Sequence, residues 1–213
     1  AAQAGGSWQG LWEEETRLAA WNTLRFTATA VAAALALGIS HAALARRLPW
    51  IRGITFLPFM VSPVCVAFGI LLLYPEWTAS LPLLTATYAL LAYPFATKDL
   101  LAAWDALPPQ YAAAARSMGA NRFQTACYVT APLLLPAMRR GLTLAAATCI
   151  GEFAATLFLS RPEWLTLTTL IYQYLGTAGA ENHDRAMVLT AALMMLAAAV
   201  FVLLDAAERE KAV

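Results

Sequence analysis

The sequence predicts an all-α membrane protein, built as one bundle of about five transmembrane helices. Apolar residues make up 61% of the 213 residues and charged residues only 13%, which is far from the balance of a soluble globular domain. Apolar runs long enough to cross a bilayer recur along the chain. The formal net charge of +1 is too small to indicate a nucleic-acid partner.

The apolar runs define the predicted spans in order. A helix needs about 20 apolar residues to cross the hydrocarbon core of a bilayer. Four runs lack Asp, Glu, Lys and Arg altogether, and a fifth is interrupted only by Glu152; in chain order the five are residues 26–45, 53–75, 77–97, 141–160 and 186–204. No soluble domain remains outside them. Residues 1–213 are therefore predicted to form a single transmembrane domain.

One further uncharged segment, residues 164–180, allows two interpretations. Its sequence is rich in Thr and Gly and short for a span, which favours a surface or re-entrant segment over a sixth span. A sixth span would also place the basic C-terminal end, EREKAV, on the outer side. The distribution of basic residues disfavours that orientation.

Basic residues predict the orientation, because loops on the cytoplasmic side carry an excess of Lys and Arg. With five spans, ten of the 14 basic residues fall on one side of the membrane: Arg46, Arg47, Arg52, Lys98, Arg116, Arg122, Arg139, Arg140, Arg209 and Lys211. The other side holds Arg17, Arg25, Arg161 and Arg185. The N-terminus is therefore predicted outside and the C-terminus in the cytoplasm.

A polar interruption, residues 105–132, is cytoplasmic in this topology. Two prolines precede an alanine run of high helix propensity, and Gly119 follows as a left-handed cap. This pattern predicts a short helix over 110–118, then a second short helix that begins near Asn121 and stops before Pro132. An amphipathic connector at the lipid interface is an equally good interpretation on physical grounds alone.

The same stretch resembles the cytoplasmic loop of the membrane subunits of ATP-binding-cassette importers. That motif reads Glu-Ala-Ala, three residues, Gly, nine residues, Ile, one residue, Leu-Pro. At its spacing this chain has Ala114 and Ala115 for the paired alanines, Gly119 for the glycine, Val129 for the isoleucine and Pro132 for the proline, with Ala113 in place of the glutamate and Ala131 in place of the leucine.

The resemblance implies a MetI-like bundle of the type I importers, in a bacterial inner membrane. The loop would dock into a cytoplasmic ATPase dimer that binds and hydrolyses ATP, so this chain would be a non-catalytic transport subunit without a cofactor of its own. A second permease half and an extracytoplasmic substrate-binding protein are the other implied partners. The chain has no Gly-x-x-x-x-Gly-Lys-Ser/Thr loop for nucleotide phosphates.

A second stretch, IGEFAATLFLSRPEWLTLTTLIYQYLG, resembles the corresponding region of iron(III) and thiamine permeases. Molybdate and sulfate permeases carry a related Gly-Glu-Phe segment, so an anion substrate is the alternative. Such permeases occur as two fused halves, and the start without methionine favours a C-terminal half. An ion-coupled secondary transporter is a less favoured alternative for the whole chain.

Three residues are candidates for the translocation pathway. Glu152 is the one acidic residue in a predicted span, and a carboxylate near the bilayer centre costs about 2.5–3.5 kcal/mol. It either faces the pathway near an outer gate or is protonated or paired in a helix contact. Tyr172 and Tyr174 line such a gate or belong to an interfacial aromatic belt. No metal site is predicted from His41 and His183, which have no matching ligand spacing.

Overall fold

The computed structural model describes residue 11 and residues 13–209, and this part of the chain is helical without any strand. Within the described residues ten α-helices follow one another: α1 (Glu14–Arg47), α2 (Leu57–Met60), α3 (Pro63–Leu73), α4 (Leu81–Ala106), α5 (Pro109–Ser117), α6 (Arg122–Thr125), α7 (Ala131–Ile150), α8 (Ala154–Leu159), α9 (Leu167–Gly176) and α10 (Ala180–Arg209). Short 3-10 turns occupy Pro49–Ile54, Pro75–Trp77 and Pro162–Trp164, and a π-helical turn, Ala126–Thr130, joins α6 to α7.

Long apolar helices confirm the membrane fold. Among the described residues, three helical stretches are long and apolar enough to cross a bilayer: Glu14–Arg47, Arg122–Ile150 and Ala180–Leu204. A bent pair, Pro49–Met60 with Pro63–Leu73, makes a fourth if it counts as one span. Helix α4 has 26 residues, about 39 Å at 1.5 Å per residue, and lies between α1 and α7. Three of its polar side chains, Thr87, Tyr88 and Thr97, are buried inside the bundle rather than facing lipid.

The second predicted span, residues 53–75, is wrong as a single helix. The chain bends by 94° between Pro49–Met60 and Pro63–Leu73. Pro63 has no backbone N–H to continue the helix, and its ring pushes Ser62 into an extended conformation, with ψ at 130°. Helix α3 then has only 11 residues.

The fourth predicted span, residues 141–160, is also misplaced. The helical stretch begins at Arg122 and ends at Ile150, so Arg139 and Arg140 lie in a long helix and not in a loop. The second short helix therefore does not stop before Pro132, because the π-helical turn carries the chain directly into α7, where Pro132 lies in the first turn and needs no N–H partner. Gly151 is the C-cap that follows Ile150, and Glu152 lies in the break before α8.

The core forms where α4 packs between α1 and α7. One buried cluster joins Phe26, Ala30 and Ala34 of α1 to Leu84, Tyr88 and Ala92 of α4 and to Ala145 and Cys149 of α7. A second cluster joins Ala42 and Ala45 to Leu100, Leu101 and Leu134. Helix α1 is thus parallel to α4, and α7 is antiparallel to both. Small residues dominate these contacts, as close helix packing in lipid requires.

These directions define two ends of the bundle. The basic end holds Arg47, Ala106 and Arg122, and the opposite end holds Glu14, Leu81 and Ile150. At the opposite end, Asn22 is fully buried and its Nδ2 donates to the carbonyls of Glu163 and Leu165 at 3.0 and 2.9 Å. Helix α9, which covers most of the ambiguous segment 164–180, packs there against α1 and α10. With 10 residues it is about 15 Å long and too short to cross a bilayer.

Candidate functional site

The polar loop at the basic end forms the predicted helix, corner and helix. Helix α5 starts at Pro109, directly after Pro108, as the sequence predicts. Gly119 has φ of +90°. Its N–H donates to the Arg116 carbonyl at 3.0 Å, and the Ala120 N–H donates to the Ala115 carbonyl at 3.1 Å. This pair of hydrogen bonds is a Schellman motif, which closes a helix through a residue in the left-handed region.

The second short helix begins with a capping box. Asn121 Oδ1 accepts from the Gln124 N–H at 2.8 Å, and Gln124 Oε1 accepts from the Asn121 N–H at 2.9 Å. Reciprocal capping of this kind satisfies two helix donors that otherwise have no partner. The predicted start near Asn121 is confirmed, and the corner between α5 and α6 is fixed by local hydrogen bonds on both sides of Gly119.

The motif positions of this loop divide into outward-facing and inward-facing residues. Ala113 and Ala114 are exposed on α5, whereas Ala115 is buried with 4% of its surface exposed. Val129 is half-buried in the π-helical turn, and Pro132 is exposed on α7. Large apolar side chains nevertheless face solvent around the corner: Tyr111, Met118, Phe123 and Tyr128 are 48%, 83%, 75% and 79% exposed. The loop therefore presents an apolar surface beyond the packed core.

Glu152 lies at the opposite end of the bundle, and its carboxylate faces the backbone at the start of α8. Oε1 accepts from the Ala155 N–H at 3.0 Å. Burial raises the pKa of the Glu152 carboxyl, while backbone N–H donors of residues 153 to 155 lower it. The carboxylate therefore caps α8 through the Ala155 N–H, while burial is the larger effect and leaves the pKa of Glu152 raised. The sequence expectation that Glu152 lies inside a span is wrong, since the span ends at Ile150.

The backbone of Glu152 also joins three elements. Its carbonyl accepts from Tyr88 Oη at 3.4 Å and from Thr168 Oγ1 at 3.0 Å. Tyr88 Oη also lies 2.5 Å from Thr156 Oγ1. The break between α7 and α8 is thus held to α4 by Tyr88 and to the start of α9 by Thr168.

The two tyrosine candidates lie on different faces of α9. The Tyr172 ring is 5.1 Å from the Phe153 ring, next to Glu152, and Tyr172 is 54% exposed. Tyr174 is half-buried and lies under the guanidinium of Arg185, which is 5.9 Å from its ring centre. Of the pathway candidates, the structure brings only Tyr172 close to Glu152. Phe153, which makes this contact, was not singled out from the sequence.

Sequence reasoning missed a connection at the basic end. Arg52 Nη1 and Nη2 lie 2.6 and 3.0 Å from the two carboxylate oxygens of Asp105. The residues are 53 positions apart, and no local pattern links them. Their opposite charges beside predicted spans were the only available signal.

Comparison with solved structures supports the architecture. A chain of a bacterial ABC transporter involved in the import of the acidic polysaccharide alginate superposes with a TM-score of 0.74 at 18% identity, covering 96% of this chain and 83% of that one. A chain of the MetNI methionine ABC transporter, in an inward facing conformation, gives 0.72 at 19% identity, with 89% and 93% covered. At such identities the likeness shows the fold.

The family follows from the sequence match. The model of the binding-protein-dependent transport system inner membrane component family matches residues 30–207, and the chain belongs to that family. Its members are transport permeases, which confirms the resemblance stated for the loop.

Three relatives carry substrate names. The sulfate transport system permease CysT of Escherichia coli K12 is 27% identical over 66% of this chain and 56% of its own length. The molybdenum permease ModB of the same strain is 30% identical over 58% and 56%. The putative 2-aminoethylphosphonate permease PhnV of Salmonella typhimurium LT2 is 28% identical over 69% and 57%. The chain thus spans about half the length of these relatives.

Proposed function

We propose that this chain is the membrane-spanning permease of an ATP-binding-cassette importer and that the α5–Gly119–α6 corner is its docking site for a cytoplasmic ATPase dimer. The corner carries the proposal because it projects from the basic end with its geometry fixed by local hydrogen bonds. Short rigid helices transmit displacement, whereas a flexible linker absorbs it. ATP hydrolysis belongs to the partner, and this chain contributes the pathway together with a second permease half.

The exposed surface of the corner suits a soluble partner. Met118, Phe123 and Tyr128 are mostly exposed, and burying large apolar side chains of this kind stabilises protein interfaces. Arg116 and Arg122 flank them, which places positive charge at the rim. Ala113 and Ala114 are exposed small residues of α5, so a partner surface can approach the helix closely there.

The basic end is proposed to face the cytoplasm and Glu14 the outside, following the excess of Lys and Arg at that end. The outer end of the pathway is proposed to lie at the break between α7 and α8. Tyr172 and Phe153 present their rings there, and Glu152 supports the break by capping α8. A substrate-binding protein would approach this end from outside the inner membrane.

Two substrate classes are proposed for the pathway. The GEF-containing stretch supports iron(III) or thiamine through its resemblance, whereas the names of the relatives favour an anion such as sulfate or molybdate. Because the Glu152 carboxyl is buried and accepts a hydrogen bond from the Ala155 N–H, it is not evidence for a cationic substrate. The anion is therefore the second candidate on the strength of the relatives.

Purification and reconstitution test both parts of the proposal. An ATPase should co-purify with the chain from its native membrane, and proteoliposomes of the complex should take up one of iron(III), thiamine, sulfate or molybdate only with ATP. Uptake that continues without ATP, and that stops when the ion gradient across the membrane is dissipated, would instead establish a secondary transporter. Failure of the ATPase to co-purify with the unmodified chain would overturn the docking role of the corner.

A further inference from the structure

The bent segment, residues 49–73, connects the basic end of the bundle with the opposite end. At the basic end its first turn is held by the Arg52–Asp105 ion pair. In the middle, Phe59 packs edge to face against Phe95 of α4 at 5.1 Å. At the far end Phe68 lies 5.8 Å from Phe158 of α8. The segment thus contacts α4 at two levels and then reaches the short helix that Glu152 caps.

The geometry of the Arg52–Asp105 ion pair fixes how the bent segment is oriented relative to α4. Each guanidinium Nη atom contacts one carboxylate oxygen, at 2.6 and 3.0 Å, and Arg52 Nε also donates to the Ala45 carbonyl of α1 at 3.4 Å. The two side chains are 41% and 44% exposed, and an exposed pair contributes little to folding stability. A two-pronged Arg–carboxylate contact does, however, hold two elements in one relative orientation.

Asp105 stands directly before the exposed corner. It is the penultimate residue of α4, and only Leu107 and Pro108 separate that helix from α5. The two following prolines, Pro108 and Pro109, restrict the backbone over this short connection. Because this connection is short and restricted, a displacement of α5 is expected to displace Asp105 as well. Through the ion pair with Arg52 it would also displace the bent segment.

Further polar contacts bind the start of the bent segment to α1. His41 Nε2 lies 2.9 Å from Thr55 Oγ1, and Thr55 is buried. Side-chain contacts thus hold the turn Pro49–Ile54 and the following Thr55 to α1 and to the end of α4. Beyond Thr55, Pro58 and Pro63 let the chain turn by 94°, and from there the contacts with α8 begin.

We propose that Arg52 and Asp105 are positioning residues that couple the exposed corner to α8 through the bent segment, an inference that rests on the proposed docking of an ATPase at that corner. The pair makes the bent segment follow the corner. The segment then shifts α8 through Phe68 and Phe158, beside the break that Glu152 and Tyr88 hold. Both ends of the bundle thus change together when the partner ATPase closes.

The test measures coupling separately from assembly. The assembled transporter is reconstituted with Arg52→Asp, with Asp105→Arg, and with both changes together, using whichever of iron(III), thiamine, sulfate or molybdate the unmodified transporter takes up. Each single change should lower substrate transported per ATP hydrolysed about fivefold or more, the lower end of typical coupling between sites. The double change restores opposite charges and should recover most of this loss. Co-purification of the ATPase should stay unchanged throughout.

Two more variants separate positioning from simple charge loss. Arg52→Lys keeps the charge but loses the two-pronged contact, so its coupling should lie between the unmodified protein and Arg52→Asp. Asp99→Asn is the matched control, because the ion pair of Asp99 is with its chain neighbour Lys98, at 3.8 Å, and lies within α4. Its coupling should equal that of the unmodified protein.

A distance measurement supplies a readout that needs no substrate. With nitroxide labels at Ser62 and Gln110, the unmodified transporter should keep one distance upon trapping with ATP and vanadate, whereas Arg52→Asp should broaden or shift it. Single charge reversals with unchanged transport per ATP, or a double change without recovery, would overturn the coupling role. Either result would leave the proposed function standing, because that function is tested on the unmodified transporter. It fails only if the unmodified transporter shows no ATP-driven uptake.

Discussion

Gly141 of α7 lies against Ala96 of α4 so closely that a Cβ on Gly141 would stand 2.7 Å from the Ala96 Cα atom and 3.1 Å from the Phe95 carbonyl oxygen. On the other side of Ala96, a Cβ on Gly38 of α1 would lie 3.2 Å from the Ala96 Cβ. Three helices therefore meet at one level of the bundle, two residues after Pro94. Backbone atoms line the contact at Gly141 and cannot rotate away as a side chain does.

Gly141→Ala should therefore destabilise the bundle despite adding one methyl group. The helices must separate locally, which costs roughly 1–3 kcal/mol as overpacking. Thermal unfolding in detergent measures this loss. Gly69→Ala is the matched control, since a Cβ on Gly69 of α3 would meet nothing within 4 Å. Equal unfolding temperatures for the two variants would contradict the close contact.

Glu152→Ala should lower stability, because the variant removes the acceptor that caps α8; loss of a helix cap costs roughly 0.5–2 kcal/mol. Glu152→Gln keeps an acceptor oxygen and should stay close to the unmodified protein in both stability and uptake. Glu152→Lys should be worst, since it places a cation at backbone donors. The unfolding temperature and uptake rate are measured together. Normal stability with strongly reduced uptake for Glu152→Gln would show instead that the negative charge itself serves transport.

Gly119→Val should misalign α6 relative to α5, because a β-branched residue resists φ of +90°. We expect normal membrane levels, lost ATP-driven uptake and weaker retention of the ATPase. Gly69→Val serves as control, as a Cβ there meets nothing within 4 Å and Gly69 is not among the glycines with positive φ. Full uptake by Gly119→Val would mean that the corner tolerates another geometry.

Ala114→Asp probes the proposed docking surface directly. It adds charge and volume to an exposed position of α5, so folding should survive while the ATPase dissociates or uncouples. Ala115→Asp, by contrast, places a charge at a position with 4% exposure and should lower stability as well. Co-purification of the ATPase and the unfolding temperature distinguish the two. Unchanged co-purification and uptake for Ala114→Asp would remove the corner as docking site.

The orientation of the chain in the membrane can be tested by cysteine labelling. In a cysteine-free background, in which Cys65, Cys127 and Cys149 are replaced, a single cysteine at exposed Gln110 should react with an impermeant reagent only from the cytoplasm. A single cysteine at exposed Glu76 should react only from outside. Labelling of both positions from the same side would refute the predicted topology.

The loop is the part of the site most readable from sequence, because its geometry depends on contacts between near neighbours. Paired prolines, an alanine run, Gly119 and Asn121 all act within a few residues of one another, and each lies where the pattern places it. Gln124, which completes the capping box, was not singled out from the sequence. The end of the second helix is not readable in this way, since a proline ordinarily stops a helix that precedes it. Pro132 instead occupies a first-turn position after a π-helical turn.

Composition and hydropathy by themselves determined that this chain is a helical membrane protein, because lipid leaves backbone groups no partner except within helices. They located the first and last long helices, but a count of apolar residues cannot show where the chain bends. The 94° break in the second predicted span, the end of α7 at Ile150 and the Arg52–Asp105 pair were decided by tertiary structure. The last two depend on groups that lie in different elements: Arg52 is 53 positions from Asp105, and Tyr88 and Thr168 bind the carbonyl of Glu152 just after α7. Such contacts follow only from how whole helices pack, whereas Pro63 marks the place of the break in the sequence but not its angle.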